Sequence, residues 1–481
     1  MALSQKVLQM IRDSGFKSPA QCRYHGSHVG GSYLSRWFRN VNRRSRVATL
    51  TEENQYDRLA ECVTPLYQLP YDKQLELKQN HMKYCISKVI DIGLNSRPRK
   101  SIGLLQKLSQ MYDGQCCPLE DIKPAPVIYG YRNKEEFNVG CNIHGNPNTV
   151  GLYVGKERHR NAVCVEPDQL INMSARHIEV CKVFQDFVRS CRLPVSPLLQ
   201  ERGHWRNLII RSTTLGQLMA VVKFNPRHLS EEDIELAENE LRDYFASGPG
   251  KSANLSSLYF QACPHTFGLG TDFPYKHLLG AAHIEEEVLD MRFNISADSF
   301  FQTNTPGAEV LYSTVREYAS LSPDSTVFDV YCGTGTIGIL LSPTAKKVIG
   351  IEMLHQAVED AKVNAHINGC SNTQFIQGDA RKLMNQLFMS GQYDGEDLVA
   401  IVNPGRTGLS KKGVRALKRC SAIRRLVFVT CKPHGKVLQN MVDLSIEMDD
   451  IATDPFCPVK SVAVDMFPHT LHTELVTLYE R

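Results

Sequence analysis

The sequence predicts an α/β protein with a C-terminal doubly wound, Rossmann-like sheet, preceded by a mainly β domain and a helical N-terminal region. Three observations predict it. From about residue 290, apolar strands alternate with helical segments. From about 124, strands and turns follow one another with little helical periodicity. Residues 70–93 repeat apolar positions at helical spacing. At 481 residues, two or three domains are expected, with enough apolar content to bury their cores.

The first 50 residues carry nine Lys/Arg and one acid, Asp13, leaving the remainder net acidic at −4. Seven Arg, seven Ser and the amphipathic stretch "SQKVLQMIRDSGF" have the composition of a mitochondrial transit peptide, so residues 1–50 are expected to be a targeting arm. A disordered basic arm touching nucleic acid is the alternative. No run of about 18 apolar residues is present to span a membrane. The 15 cysteines show no C-x-x-C pair and no His/Cys cluster at ligand spacing, so no metal site is expected.

Residues 51–123 read as helices and a linker. Tyr71, Leu75, Met82, Ile86 and Val89/Ile90 share a face, with Pro70 at the helix start and Gly93 just past its end. Residues 124–289 form the mainly β domain, and within it 131–227 carry a net charge of +6. Its aromatics Tyr131, Phe137 and Trp205 read first as core, with stacking on nucleic-acid bases as the alternative. The helix at 230–245 has an acidic face that reads as solvated surface.

In the last domain, 290–481, the strands "TVFDVY", "KVIGIE", "TQFIQG", "LVAIVN" and "LVFVT" precede two closing strands. Ligands of such sheets bind beyond the carboxyl ends of the strands. There the chain places Gly333-Thr-Gly335-Thr-Ile-Gly338, Glu352, Asp379, Asn403-Pro404-Gly405-Arg406 and Cys431-Lys432-Pro433. The glycine turn and Glu352 suit a dinucleotide or S-adenosylmethionine equally, since both need close backbone approach and an acid on a ribose. Polar residues at several strand ends favour methyl transfer over hydride transfer. From 398 to 442 there is no acid against ten Lys/Arg, which suggests a phosphate-backbone track.

Six strings in order, "GYRNKEEF", "SADSFFQTN", "DVYCGTG", "NPGRTGL", "VTCKP" and "FPHTLHTEL", make the chain from about residue 124 onward resemble the RNA uracil-5 methyltransferases. The resemblance implies that Gln302, Glu352 and Asn403 contact S-adenosylmethionine. It also implies that Cys431 is a nucleophile and Glu474 a base. The implied reaction is 5-methyluridine formation in RNA, with the T-loop uridine of mitochondrial tRNA the expected target and rRNA a second substrate. A monomer in the mitochondrial matrix, without metal or membrane, is expected. Glu480 competes with Glu474 as the base. The commoner family motif has Asp-Pro-Pro-Arg where Asn403-Pro404-Gly405-Arg406 stands here, so one charge is lost and one turn loosened. Three other readings stay open: an amino-group methyltransferase, which would need neither Cys431 nor Glu474; an RNA-binding homologue without turnover; and a NAD-dependent reductase.

Overall fold

The computed structural model describes residues 50–96, 102–155, 162–197, 203–264, 273–389, 393, 395–448, 451 and 453–481. The expected targeting arm, save its last residue, therefore lies outside the described residues. In chain order the elements begin with α1 (Gln55–Val63), α2 (Tyr71–Ser96) and α3 (Gly103–Met111). Next come β1 (Lys134–Gly140), β2 (Thr149–Val154), β3 (Val163–Val165), α4 (Ala175–Ser190), β4 (Trp205–Ser212), β5 (Leu218–Phe224), α5 (Glu231–Ala246), β6 (Ser257–Ala262) and β7 (Lys276–Gly280). A hairpin of β8 (Ile284–Val288) and β9 (Met291–Ile295) follows, with the expected boundary at 289/290 falling in its turn.

The remaining chain is α6 (Thr305–Ala319), β10 (Ser325–Val330), α7 (Thr336–Leu341), β11 (Lys347–Glu352), α8 (His355–Ile367), β12 (Thr373–Gln377), α9 (Ala380–Met389) and β13 (Asp397–Val402). It closes with α10 (Lys411–Arg419), β14 (Ile423–Thr430), α11 (Lys436–Leu444), β15 (Cys457–Val464) and β16 (Glu474–Glu480).

The C-terminal sheet runs β12-β11-β10-β13-β14-β16-β15. Its first five strands are parallel, and β16 inserts antiparallel between β14 and β15. Chain order reverses at β10, which puts a switch-point crevice at the carboxyl ends of β10 and its neighbours. Alternation along each strand feeds two cores. Phe328, Val330, Ile349 and Phe428 face α2, α3, α9, α10 and α11. Val327, Val348, Val399 and Val427 face α6, α7, α8 and the β8–β9 hairpin. The N-terminal helices α2 and α3 thus share the core of the C-terminal sheet.

Gly93 is the helix stop that the sequence suggests, yet α2 continues to Ser96. A Cβ at Gly93 would come within 2.3 Å of Leu105 Cδ1, so the glycine lets α3 pack closely against α2.

The first sheet has the order β3-β2-β1-β4-β5-β6-β7. Leu218, Ala220, Val222 and Phe224 of β5 face a core made with α1, α4 and α5. Met219 and Val221, alternating with them, join the core of the C-terminal domain. Tyr131, Phe137 and Trp205 are all buried, Phe137 and Trp205 completely, so none offers a stacking face for RNA. Their aromatic bulk fills the interior.

Candidate active site

The glycine turn after β10 is built by backbone geometry. Tyr331, Gly333 and Gly335 all have positive φ, and the amides of Tyr331 and Cys332 both donate to the Ile351 carbonyl. A Cβ at Gly335 would meet Phe375 at 2.8 Å and Ala361 at 2.9 Å, so only glycine lets this turn sit on the sheet. A Cβ at Gly333 would meet nothing within 4 Å, which leaves one side of the turn open for a ligand.

Glu352 stands beside that opening. Its carboxylate accepts from the amides of Gly333 (3.1 Å), Met353 (2.7 Å) and Leu354 (3.1 Å). Met353 and Leu354 are exposed apolar side chains, and Phe300 is another, two residues before the buried Gln302. Beneath the turn, buried Asp329 accepts from the Gly338 amide at 2.9 Å while its Oδ1 has no partner. Burial pushes this carboxyl up to about 7. An open glycine turn, an acid beside it and exposed apolar side chains are what a site for S-adenosylmethionine needs. Asp379, in contrast, is engaged by the Arg381 guanidinium two residues on.

Cys431 follows β14 directly. The β14–β16 ladder pairs Thr430 with Leu475, so one further step brings Cys431 opposite Glu474. Side chains opposite one another in an antiparallel ladder share a face. Electrostatics agree with the register. Burial and then the charge of Glu474 raise the Cys431 thiol, while the positive charge of the Arg406 guanidinium opposes them. Glu474 is 4% exposed, and burial lifts its carboxyl to about 8 against the pull of Arg406. The rival Glu480 lies at the far end of β16, opposite Arg425, about 20 Å away along the strand.

Asn403 follows β13 directly and is half-buried, its amide 3.5 Å from the Val330 carbonyl. Asn403, Cys431 and Glu474 therefore lie on one rim with the glycine turn.

Three other motifs meet behind this rim. Asn133 Nδ2 donates to the Gln302 carbonyl (3.0 Å) and to Thr305 Oγ1 (2.9 Å). Asn304 caps α6 and donates to the Met466 carbonyl at 2.8 Å. Tyr131 donates to the Pro468 carbonyl at 2.9 Å.

Sequence reasoning missed the role of α2. Lys78 forms a buried ion pair with Asp465 at 2.5 Å and donates to the Phe467 carbonyl. Tyr71 donates to the other oxygen of Asp465, and Gln74 bonds both the His469 ring and its amide. This one helix face grips the loop that leads into Glu474.

In the acid-free stretch, two of the ten cations serve internal partners. Lys418 is buried and donates to the Asp443 and Ile446 carbonyls, and Arg425 pairs with Asp397. The other eight, Arg406, Lys411, Lys412, Arg415, Arg419, Arg424, Lys432 and Lys436, are exposed, four of them on α10. Finally, His81, Cys85 and His434 converge in space, against the expectation of no ligand cluster.

A family model described as a methyltransferase domain matches residues 321–446. The tRNA (uracil-5-)-methyltransferase homolog B of Danio rerio is 42% identical, covering 88% of this chain and 87% of the relative. This chain belongs to the tRNA (uracil-5-)-methyltransferase family. The human homolog B is 39% identical over 88% of this chain and 84% of the relative. The fold is shared with the Pyrococcus abyssi tRNA (uracil-54, C5)-methyltransferase, at a TM-score of 0.59 and 22% identity over 86% of this chain and 84% of that one. In this member of the uracil-5-methyltransferase family, the six sequence strings quoted above all contribute to, or brace, the rim of the C-terminal sheet.

Proposed function

We propose that this protein methylates C5 of uridine in RNA with S-adenosylmethionine, acting on the T-loop uridine of mitochondrial tRNA, with mitochondrial rRNA a second substrate. The observation that carries the reading is the cross-strand placement of Cys431 and Glu474 on one rim, with Arg406 acting on both. Gly333, Gly335, Glu352, Gln302 and Asn403 would hold S-adenosylmethionine. When bound, it supplies an electrophilic methyl group on a sulfonium.

The chain's own residues do the rest. C5 of uridine is a feeble nucleophile, and a stacked base hides C6, so the uridine must be turned out of its stack. The Cys431 thiolate adds to C6, and the electron pair of the C5–C6 double bond moves toward C5 and O4 as an enolate. Arg406 favours the thiolate over the thiol. Once C5 carries its methyl group, Glu474 removes the C5 proton. The C6–S bond then breaks, restoring the ring double bond and freeing Cys431. A carboxyl with a pKa of about 8 is matched to this proton transfer at physiological pH.

Glu474→Gln tests the assignment. With tRNA and S-adenosylmethionine it should methylate but stall, leaving a covalent protein–RNA species on a denaturing gel, absent when Cys431 is also replaced by Ala. An active Cys431→Ala enzyme would instead support amino-group methylation. Nucleoside mass spectrometry of mitochondrial RNA tests the substrate. Loss of 5-methyluridine without the protein supports the reading, and unchanged levels overturn it.

A further inference from the structure

We propose that His81, Cys85 and His434 form a binding site for a borderline divalent cation of the zinc class. His81 and Cys85 are four residues apart on α2 and share one face of the helix. His434 arrives from the turn between β14 and α11. One ligand atom from each lies within 4.8 Å of the other two. Cys85 Sγ and His81 Nε2 are 3.7 Å apart. A tetrahedral zinc ion with ordinary bond lengths separates sulfur and nitrogen by about 3.6 Å.

The third ligand is preset. His434 Nδ1 lies 3.0 Å from the Pro433 carbonyl, which can only accept, so Nδ1 carries the proton and Nε2 offers its lone pair. The two histidine rings stand 5.8 Å apart at 67°. Cys85 is buried and His434 is exposed, so three protein ligands leave a solvent-side position for a fourth. Two nitrogens and one sulfur suit zinc or cobalt and do not suit magnesium or calcium. Binding requires the Cys85 thiolate, so each ion releases a proton. The ion would join α2, whose first turns hold the loop before Glu474, to the segment that follows Cys431. The site stands apart from the methyl-transfer reading, because metal binding is measured without RNA.

The test uses chelator-stripped full-length protein titrated with Co2+, following the thiolate-to-cobalt charge-transfer band, then displaced by Zn2+. One equivalent should bind. The band should vanish in Cys85→Ser, affinity should fall at least about 100-fold in His434→Ala, and Cys62→Ser, at an exposed thiol on α1, should leave both unchanged. Circular dichroism checks folding; because His434 is on the surface, its variant decides the matter if Cys85→Ser does not fold. Absence of a one-equivalent band in the parent protein overturns the site. So does a band of undiminished affinity in either ligand variant that folds.

Discussion

At Cys431 two charges act in opposite directions. Glu474 discourages the thiolate and Arg406 encourages it, while burial adds to the first. Replacing Arg406 by Met should therefore raise the thiol further. Alkylation of the Cys431 peptide, followed by mass spectrometry, should slow several-fold at pH 7.5, with its pH limb displaced upward. Glu474 carries a second prediction. Its folded pKa of about 8 lies above the ordinary glutamate range near 4.3, so between those values the unfolded chain has lost a proton that the folded chain keeps. Stability must then fall as pH rises through this window, at up to about 1.4 kcal/mol per pH unit. Glu474→Gln lacks that loss, so its denaturation midpoint should gain on the parent protein from pH 5 to pH 8 and level off above. Turnover, whose release step needs the ionised base, should rise over the same alkaline range. Cys431 and Glu474 were legible as candidates from their motifs; the raised carboxyl of Glu474 was not, because it comes from the burial that the folded chain imposes.

At the level of elements, α2 is a brace. Lys78 and Asp465 are both buried, and removing one leaves the other charge unpaired in the interior. Lys78→Met should cost about 3–5 kcal/mol in chemical denaturation, and adding Asp465→Asn should return part of it. The loop from Asp465 to Thr473 would loosen, so activity should drop in Lys78→Met even where the protein remains folded. The glycine turn gives a second test. Gly335→Ala places a side chain on positive φ and against Phe375, so it should destabilise by about 1–3 kcal/mol and weaken S-adenosylmethionine binding in calorimetry. The periodicity of α2 was legible, since apolar residues mark its core face. Its polar contacts to the Glu474 loop were not, because Tyr71, Gln74 and Lys78 look like ordinary helix polar residues until their distant partners are known.

For the whole molecule, charge is the property that matters to an RNA ligand. Lys418 and Arg425 are committed to internal partners, while the other eight cations of the stretch are exposed, with Lys411 and Lys412 at the start of α10 among them. Charge reversal at Lys411 and Lys412 should weaken tRNA binding. It should also flatten the dependence of log K on log salt by about 0.7–0.9 for each phosphate that the protein no longer neutralises. A salt slope equal to that of the parent protein would place the RNA elsewhere. The burial of Tyr131, Phe137 and Trp205 decides for the core over base stacking: an aromatic residue in a strand serves the core unless the sheet leaves that face open.

Strand and helix alternation, the glycine turn and the order of the reactive residues could all be read along the chain, because each depends on near neighbours or on a short string. The pairing of Cys431 with Glu474, the Lys78–Asp465 clamp and the His81–Cys85–His434 cluster could not. They join residues remote in sequence, which only packing brings together, and burial then sets the charge of the ones it encloses.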